Sequence, residues 1–128
     1  MRECQRILVV EDEKWLRLIL RDILQRMGNG YEIVVVADAQ AALSEAEENG
    51  LHLLLTDLRL PDIDGVALTE HLVEAGWEIP VIWMTAYGCH RVRLEAEALD
   101  VYRCLDKPLR IDQIRDVVRE ALAQAAAG

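Results

Sequence analysis

Polar residues interrupt this sequence at the ends of its apolar runs. Glu11-Asp12-Glu13 follow Ile7-Leu8-Val9-Val10, and Thr56-Asp57 follow Leu53-Leu54-Leu55. Thr85 follows Val81-Ile82-Trp83-Met84, and Asp106-Lys107-Pro108 follow a weaker run from Val101 to Leu105. The carboxylates of Asp12 and Asp57 are hard oxygen ligands, suited to a Mg²⁺ ion that keeps several of its waters. Such an ion neutralises phosphoryl oxygens as charge shifts during transfer. Lys107 offers a compact ammonium for the same oxygens, and Thr85 a hydroxyl donor. In that company Asp57 becomes a nucleophile able to form an acyl phosphate. Taken singly, each residue has a plainer explanation. Acids at strand ends face water, Thr85 is a loop-start hydroxyl for nearby backbone, and Lys107 is a surface lysine. Only convergence on one edge of one sheet gives them a shared chemistry.

The elements that must position them follow from periodicity. With Ile33-Val34-Val35-Val36, the apolar runs number five, and the first four are nearly continuous. Strands covered on both faces, as in a parallel sheet, read this way. Between them lie helix-period stretches. Leu16, Ile19, Leu20, Ile23, Leu24 and Met27 form one face, with Arg17, Arg21, Asp22, Gln25 and Arg26 opposite. Ile114, Val117, Val118, Ala121, Leu122 and Ala125 repeat the pattern near the C-terminus. Asp38 reads as the N-cap of a helix over 39–49 closed by Gly50, and Asp64 as the cap of one over 66–75 ended by Gly76. The stretch from Gly88 to Leu99 is the least regular, and Ala123 to Gly128 reads as the frayed last turn. The order β-α-β-α-β-α-β-α-β-α predicts a doubly wound α/β fold with helices on both faces of a five-stranded parallel sheet. Such folds hold their sites at the carboxyl ends of the strands, near the topological switch point.

Composition excludes other classes. The 128 residues fit one domain, expected over 1–128, with 52% hydrophobic and 29% charged residues as in a soluble globular protein. A net charge of −9 argues against direct nucleic-acid binding, which demands basic surface. No apolar run approaches the roughly 18 residues needed to span a bilayer, and the N-terminus lacks the pattern of a signal peptide, so a cytoplasmic location and no membrane partner are expected. Cys4, Cys89 and Cys104 cannot all pair within one chain and match no zinc spacing. Cys89 beside His90 gives at most half of a metal site, and reduced thiols are the plainer expectation.

The motifs together resemble those of response-regulator receiver domains of two-component signal transduction, from about Arg6 to Ala125. They are Glu11-Asp12, then Asp57-Leu58-Arg59-Leu60-Pro61-Asp62-Ile63-Asp64-Gly65, Met84-Thr85-Ala86-Tyr87-Gly88 and Asp106-Lys107-Pro108. Thr85 lies 28 positions after Asp57, and Lys107 lies 50 after it. The resemblance implies a flavodoxin-like fold with strand order 2-1-3-4-5. It implies Asp57 as phosphoacceptor, and Mg²⁺ held by Asp12 with the help of Glu11, by Asp57 and by the backbone carbonyl of Arg59. Lys107 would pair with the phosphoryl group through a loop with a cis Lys107-Pro108 bond, and Thr85 would move toward it. Arg59 and Tyr87 would flank the path of attacking water. The implied partners are a sensor histidine kinase or histidine phosphotransfer protein, an output domain or effector outside this chain, and a second copy on the helix 4–strand 5–helix 5 face.

One departure stands out. Three positions before the lysine the family usually carries Tyr or Phe, and here stands Cys104. Tyr102 lies two residues earlier, which in a regular strand is the same side. Either Tyr102 supplies the ring, or threonine and loop move without one, or Tyr102 only covers the sheet edge. Two other classes fit the residues less well. A phosphohydrolase of the haloacid-dehalogenase type needs Asp-x-Asp after strand 1, where this chain has Asp12-Glu13-Lys14, and it needs length for a cap domain. A phosphate-independent interaction module would not require the complete acid–Thr–Lys set. A self-phosphorylating switch, not a turnover enzyme, is the expectation.

Overall fold

The computed structural model describes residues 4–127, for Ala127 the backbone alone. Met1–Glu3 and Gly128, which the expected 1–128 domain includes, lie outside the described residues. The elements are β1 (Gln5–Val10), α1 (Lys14–Gln25), β2 (Tyr31–Val36), α2 (Ala39–Asn49), β3 (Leu53–Asp57), α3 (Gly65–Glu74), β4 (Val81–Thr85), α4 (Arg93–Ala98), β5 (Arg103–Asp106) and α5 (Ile111–Ala127). A short 3-10 turn, Cys89–Val92, precedes α4.

The strands form one five-stranded sheet in the order β2-β1-β3-β4-β5, every pairing parallel. Side-chain alternation divides each run between two cores. Ile7 and Val9 of β1, Leu53 and Leu55 of β3, and Ile82 and Met84 of β4 face α1 and α5. Leu8, Val10, Leu54, Val81 and Trp83 pack on the other side with α2 and α3. Both faces are dry, which is why the runs are continuous rather than alternating.

Capping residues set the helix starts. Asp38 accepts from the Ala41 N–H and Asp64 from the Ala67 N–H, both at 2.8 Å, each such cap being worth about 1 kcal/mol. Gly50, at φ +75°, follows the last residue of α2, and Ala123 to Ala127 continue α5.

One expectation fails here. Tyr102 lies before β5, in a bend that follows the positive φ of Asp100 (56°). The strand alternation therefore does not reach it. Tyr102 packs against the core shared by α1 and α5, with its hydroxyl 3.4 Å from Glu120, whereas Cys104 packs on the opposite face with Trp83. Tyr102 and Cys104 do not share a side of the sheet.

Candidate functional site

From β1 the chain crosses to β2 on one side and, from β2 by way of α2, to β3 on the other, so a crevice opens beyond the carboxyl ends of β1 and β3. Asp57 ends β3 there and is 6% exposed; Glu11 follows β1 and is 1% exposed. Lys107, after β5, bridges them. Its Nζ lies 2.6 Å from Asp57 Oδ2 and 2.9 Å from Glu11 Oε1. The Lys107-Pro108 peptide is cis, as the resemblance implied.

Backbone donors aim both carboxylates. The Arg59 N–H donates to Asp57 Oδ1 and the Glu13 N–H to Glu11 Oε2, each at 3.0 Å. Asp57 is also fixed from behind. The Thr56 hydroxyl donates to its carbonyl at 2.8 Å, and a Cβ on Gly65 would sit 2.4 Å from that same oxygen. Any side chain at Gly65 would therefore displace the backbone that carries Asp57. Thr85, buried at the end of β4, accepts from the Tyr87 N–H through its hydroxyl at 3.0 Å. Its carbonyl accepts from the Lys107 N–H at 2.8 Å, which ties the two strand ends together.

Charge in the crevice is unbalanced. Burial, reinforced by the neighbouring Asp57, pushes the Glu11 carboxyl up to about 7, although the Glu13 N–H and Lys107 both act in the other direction. Burial works to lower Lys107, but its contacts with Asp57 and Glu11 prevail and raise it, so the ammonium stays charged. One ammonium thus faces several acids. Glu11, exposed Asp12 and Asp57 each present an oxygen, all within 4.8 Å of one another. Three hard donors with uncompensated negative charge fit a divalent cation such as Mg²⁺.

The sequence expectations are thereby placed. Glu11, Asp12, Asp57 and Lys107 converge, Arg59 adjoins them through its N–H, and Thr85 stands at the adjacent strand end. Three features were missed. Glu13 caps α1, accepting from the N–H groups of Trp15 (3.1 Å) and Leu16 (2.8 Å); glutamate is outside the usual set of N-caps, so the pattern gave no signal. Arg17, read as part of a polar helix face, donates at 2.9 Å to the carbonyls of Glu11 and Asp12 and holds the acidic turn. Finally, the expected reduced thiols are corrected at two positions. Cys89 and Cys104 form a disulfide with Cα atoms 5.8 Å apart, while Cys4 is free. Residues 15 apart in sequence meet because parallel pairing sets β5 beside β4, a proximity invisible to a count of cysteines.

A sheet of this order with an acid, a threonine and a lysine at neighbouring strand ends defines a class, and comparison with known proteins agrees. The chain belongs to the response regulator receiver domain family, whose pattern matches residues 7–119. It is 30% identical over 118 residues to sporulation initiation phosphotransferase F of Bacillus subtilis (strain 168), covering 92% of this chain and 94% of that protein. It is 32% identical over 117 residues to transcriptional regulatory protein ZraR of Escherichia coli (strain K12), covering 91% of this chain but only 26% of that longer protein. A solved CheY-like receiver domain protein from Methanospirillum hungatei JF-1 shares the fold, with a TM-score of 0.90 at 24% identity over 98% of both chains. The protein is accordingly a phosphoryl-accepting signalling domain of the two-component type, with the flavodoxin-like strand order 2-1-3-4-5.

Proposed function

We propose that the described residues form one receiver domain, within an expected span of 1–128, that takes a phosphoryl group on Asp57. The observation that carries the reading is the Lys107 ammonium, 2.6 Å from Asp57 and 2.9 Å from Glu11. It marks the place where a phosphoryl oxygen on Asp57 would meet positive charge. Asp57 attacks phosphorus through its carboxylate, aimed by the Arg59 N–H. The leaving group stays with the donor, and Lys107 turns from the free carboxylate to the new phosphoryl oxygens. Thr85 releases the Tyr87 N–H and turns its hydroxyl to the same oxygens. Glu11, Asp12, Asp57 and the backbone carbonyl of Arg59 would hold Mg²⁺, which supplies charge neutralisation during transfer. The domain acts on itself once per signal and is not a turnover enzyme.

The donor in this reading is a sensor histidine kinase or a histidine phosphotransfer protein. Trp15 (70% exposed), Ile19 and Ile111 stand out from the start of α1 and α5. Ile19 and Ile111, with Leu16, Pro108 and Leu109, line an apolar groove beside Lys107. That is a docking surface next to the chemistry. Exposed Leu94 on α4 gives the α4–β5–α5 face an apolar element for a second copy. Output passes to a domain or effector outside this chain, and the charge of −9 argues that this domain does not itself grip nucleic acid. Among the described residues no helix is long and apolar enough to cross a membrane; a cytoplasmic location accompanies the reading.

NMR titration with Mg²⁺ and then beryllofluoride tests it. The amides of Asp57, Thr85 and Lys107 should shift in wild type and stay still on beryllofluoride addition to Asp57→Asn. Equal shifts in the variant would remove Asp57 from its role.

A further inference from the structure

The disulfide occupies a telling position. Cys89 opens the 3-10 turn after β4, and Cys104 lies in β5, in register with Trp83. Thr85 precedes Cys89 by four residues and Lys107 follows Cys104 by three, so the bond ties together the two arms that bring these groups to Asp57. Tyr87, two residues before Cys89, rests against Arg59, with the guanidinium donating to its phenol oxygen. Arg59 in turn holds Asp57 through its N–H. Gly88, at φ +96°, turns the chain so that the Cys89 N–H reaches the Asp106 carboxylate at 2.8 Å. Among the described residues, that exposed hydrogen bond is the polar link from Cys89 to β5 apart from the disulfide.

Both cysteines are half-buried, within reach of small thiols. Their Cα separation of 5.8 Å suits a disulfide without backbone movement. Intracellular disulfides are commonly transient and redox-sensing, and the proposed cytoplasmic location puts this pair in that setting.

We propose that Cys89 and Cys104 are a reversible dithiol–disulfide switch that sets how freely the segment from Thr85 to Cys89 opens over Asp57. The chemistry is thiol–disulfide exchange with a low-molecular-weight disulfide. One cysteine thiolate attacks the oxidant and forms a mixed disulfide, releasing one small thiol. The second cysteine displaces the other, so the protein loses two electrons and two protons and the oxidant leaves as two thiols. A dithiol reductant reverses both steps. In the oxidised form the segment is pinned to β5, Tyr87 stays on Arg59, and the phosphoryl group is gained and lost slowly. In the reduced form the segment opens more often and both rates rise. The rate effect rests on Asp57 being the phosphoacceptor; the switch itself does not.

A Cys4→Ser protein, which keeps the pair, is oxidised with glutathione disulfide or reduced with dithiothreitol, then alkylated and weighed intact. Two alkylated thiols are expected in the reduced form and none in the oxidised form. Amide hydrogen exchange without any phosphodonor should be several-fold slower over residues 85–92 when oxidised. Phosphorylation by acetyl phosphate with Mg²⁺ should then be several-fold slower in the oxidised form. Cys89→Ser and Cys104→Ser, added singly, should react at the reduced rate under both treatments. Two alkylated thiols after oxidation, or equal exchange in the two forms, would overturn the switch. Equal phosphorylation rates despite different exchange would overturn its control of Asp57. An exchange difference with no phosphorylation in either form would support the switch and count against the Asp57 reading instead.

Discussion

The Arg59 guanidinium lies over the Tyr87 ring, 5.0 Å from its centroid, and donates to the phenol oxygen. The two side chains come from the β3–α3 and β4–α4 connections and meet beside Asp57, so each keeps the other in place. With Asp57 as the proposed phosphoacceptor, water attacking its phosphoryl group in line would pass them. An exposed cation–π contact is worth about 0.5–1 kcal/mol. Arg59→Ala or Tyr87→Ala should therefore speed dephosphorylation ~2- to 5-fold, and the double variant should exceed neither by much, since either change breaks the same pair. Decay of the acyl phosphate, followed by intact mass, checks this; unchanged decay in the double variant would remove the pair from the water path.

The acidic crevice makes a second prediction. Glu11, Asp12 and Asp57 repel one another, and a bound cation relieves the repulsion, so it stabilises the folded state by mass action. Millimolar Mg²⁺ should raise the melting temperature of wild type and leave Asp12→Ala unmoved. Exposed Trp15, three residues beyond Asp12, offers a fluorescence readout of the same titration. Equal thermal shifts in both proteins would count against the metal site.

Asp62 links the β3–α3 connection to the start of α2. Its carboxylate oxygens accept from the N–H groups of Ala39 (3.0 Å) and Gln40 (2.8 Å). Desolvation works to raise its pKa, but these donors prevail and hold it below the ordinary 3.8. A depressed acid contributes stability that is present above 3.8 and lost as pH falls through its folded value. Asp62→Asn imitates the protonated acid. The variant should therefore melt below wild type at pH 6, and the gap should close as pH falls below 3.8. A gap that stays constant into acid would show that the charge contributes nothing.

Tyr102 packs toward α5 and away from Cys104. Truncating a half-buried ring should cost about 1 kcal/mol of stability. Tyr102→Ala should therefore lower the melting point slightly and leave the phosphorylation-induced NMR shifts around α4 and β5 in place. Loss of those shifts, with Asp57 still phosphorylated, would make Tyr102 the relay after all.

Much of this was legible in the chain because its signals are local. Continuous apolar runs announced two-sided strands, Asp38 and Asp64 announced helix starts, and the polar residues ending β1, β3, β4 and β5 pointed to one sheet edge. What escaped notice depends on tertiary placement. Strand alternation puts Tyr102 on the side of Cys104, but the bend after Asp100 delays the start of β5 to Arg103, one residue too late for that rule to reach Tyr102. Arg17 looked like a solvated helix face until α1 set it against the Glu11 and Asp12 carbonyls. The Cys89–Cys104 contact depends on the pairing of β4 with β5, which no local spacing reveals.

In the proposed function, Asp57 accepts the phosphoryl group with the help of a divalent cation, Lys107 and Thr85. Intact mass after incubation with acetyl phosphate and Mg²⁺ is the decisive measurement. A gain of one phosphoryl group is expected in wild type, none in Asp57→Asn, and none when EDTA removes the metal. Label retained in Asp57→Asn, or undiminished in EDTA, would contradict that function.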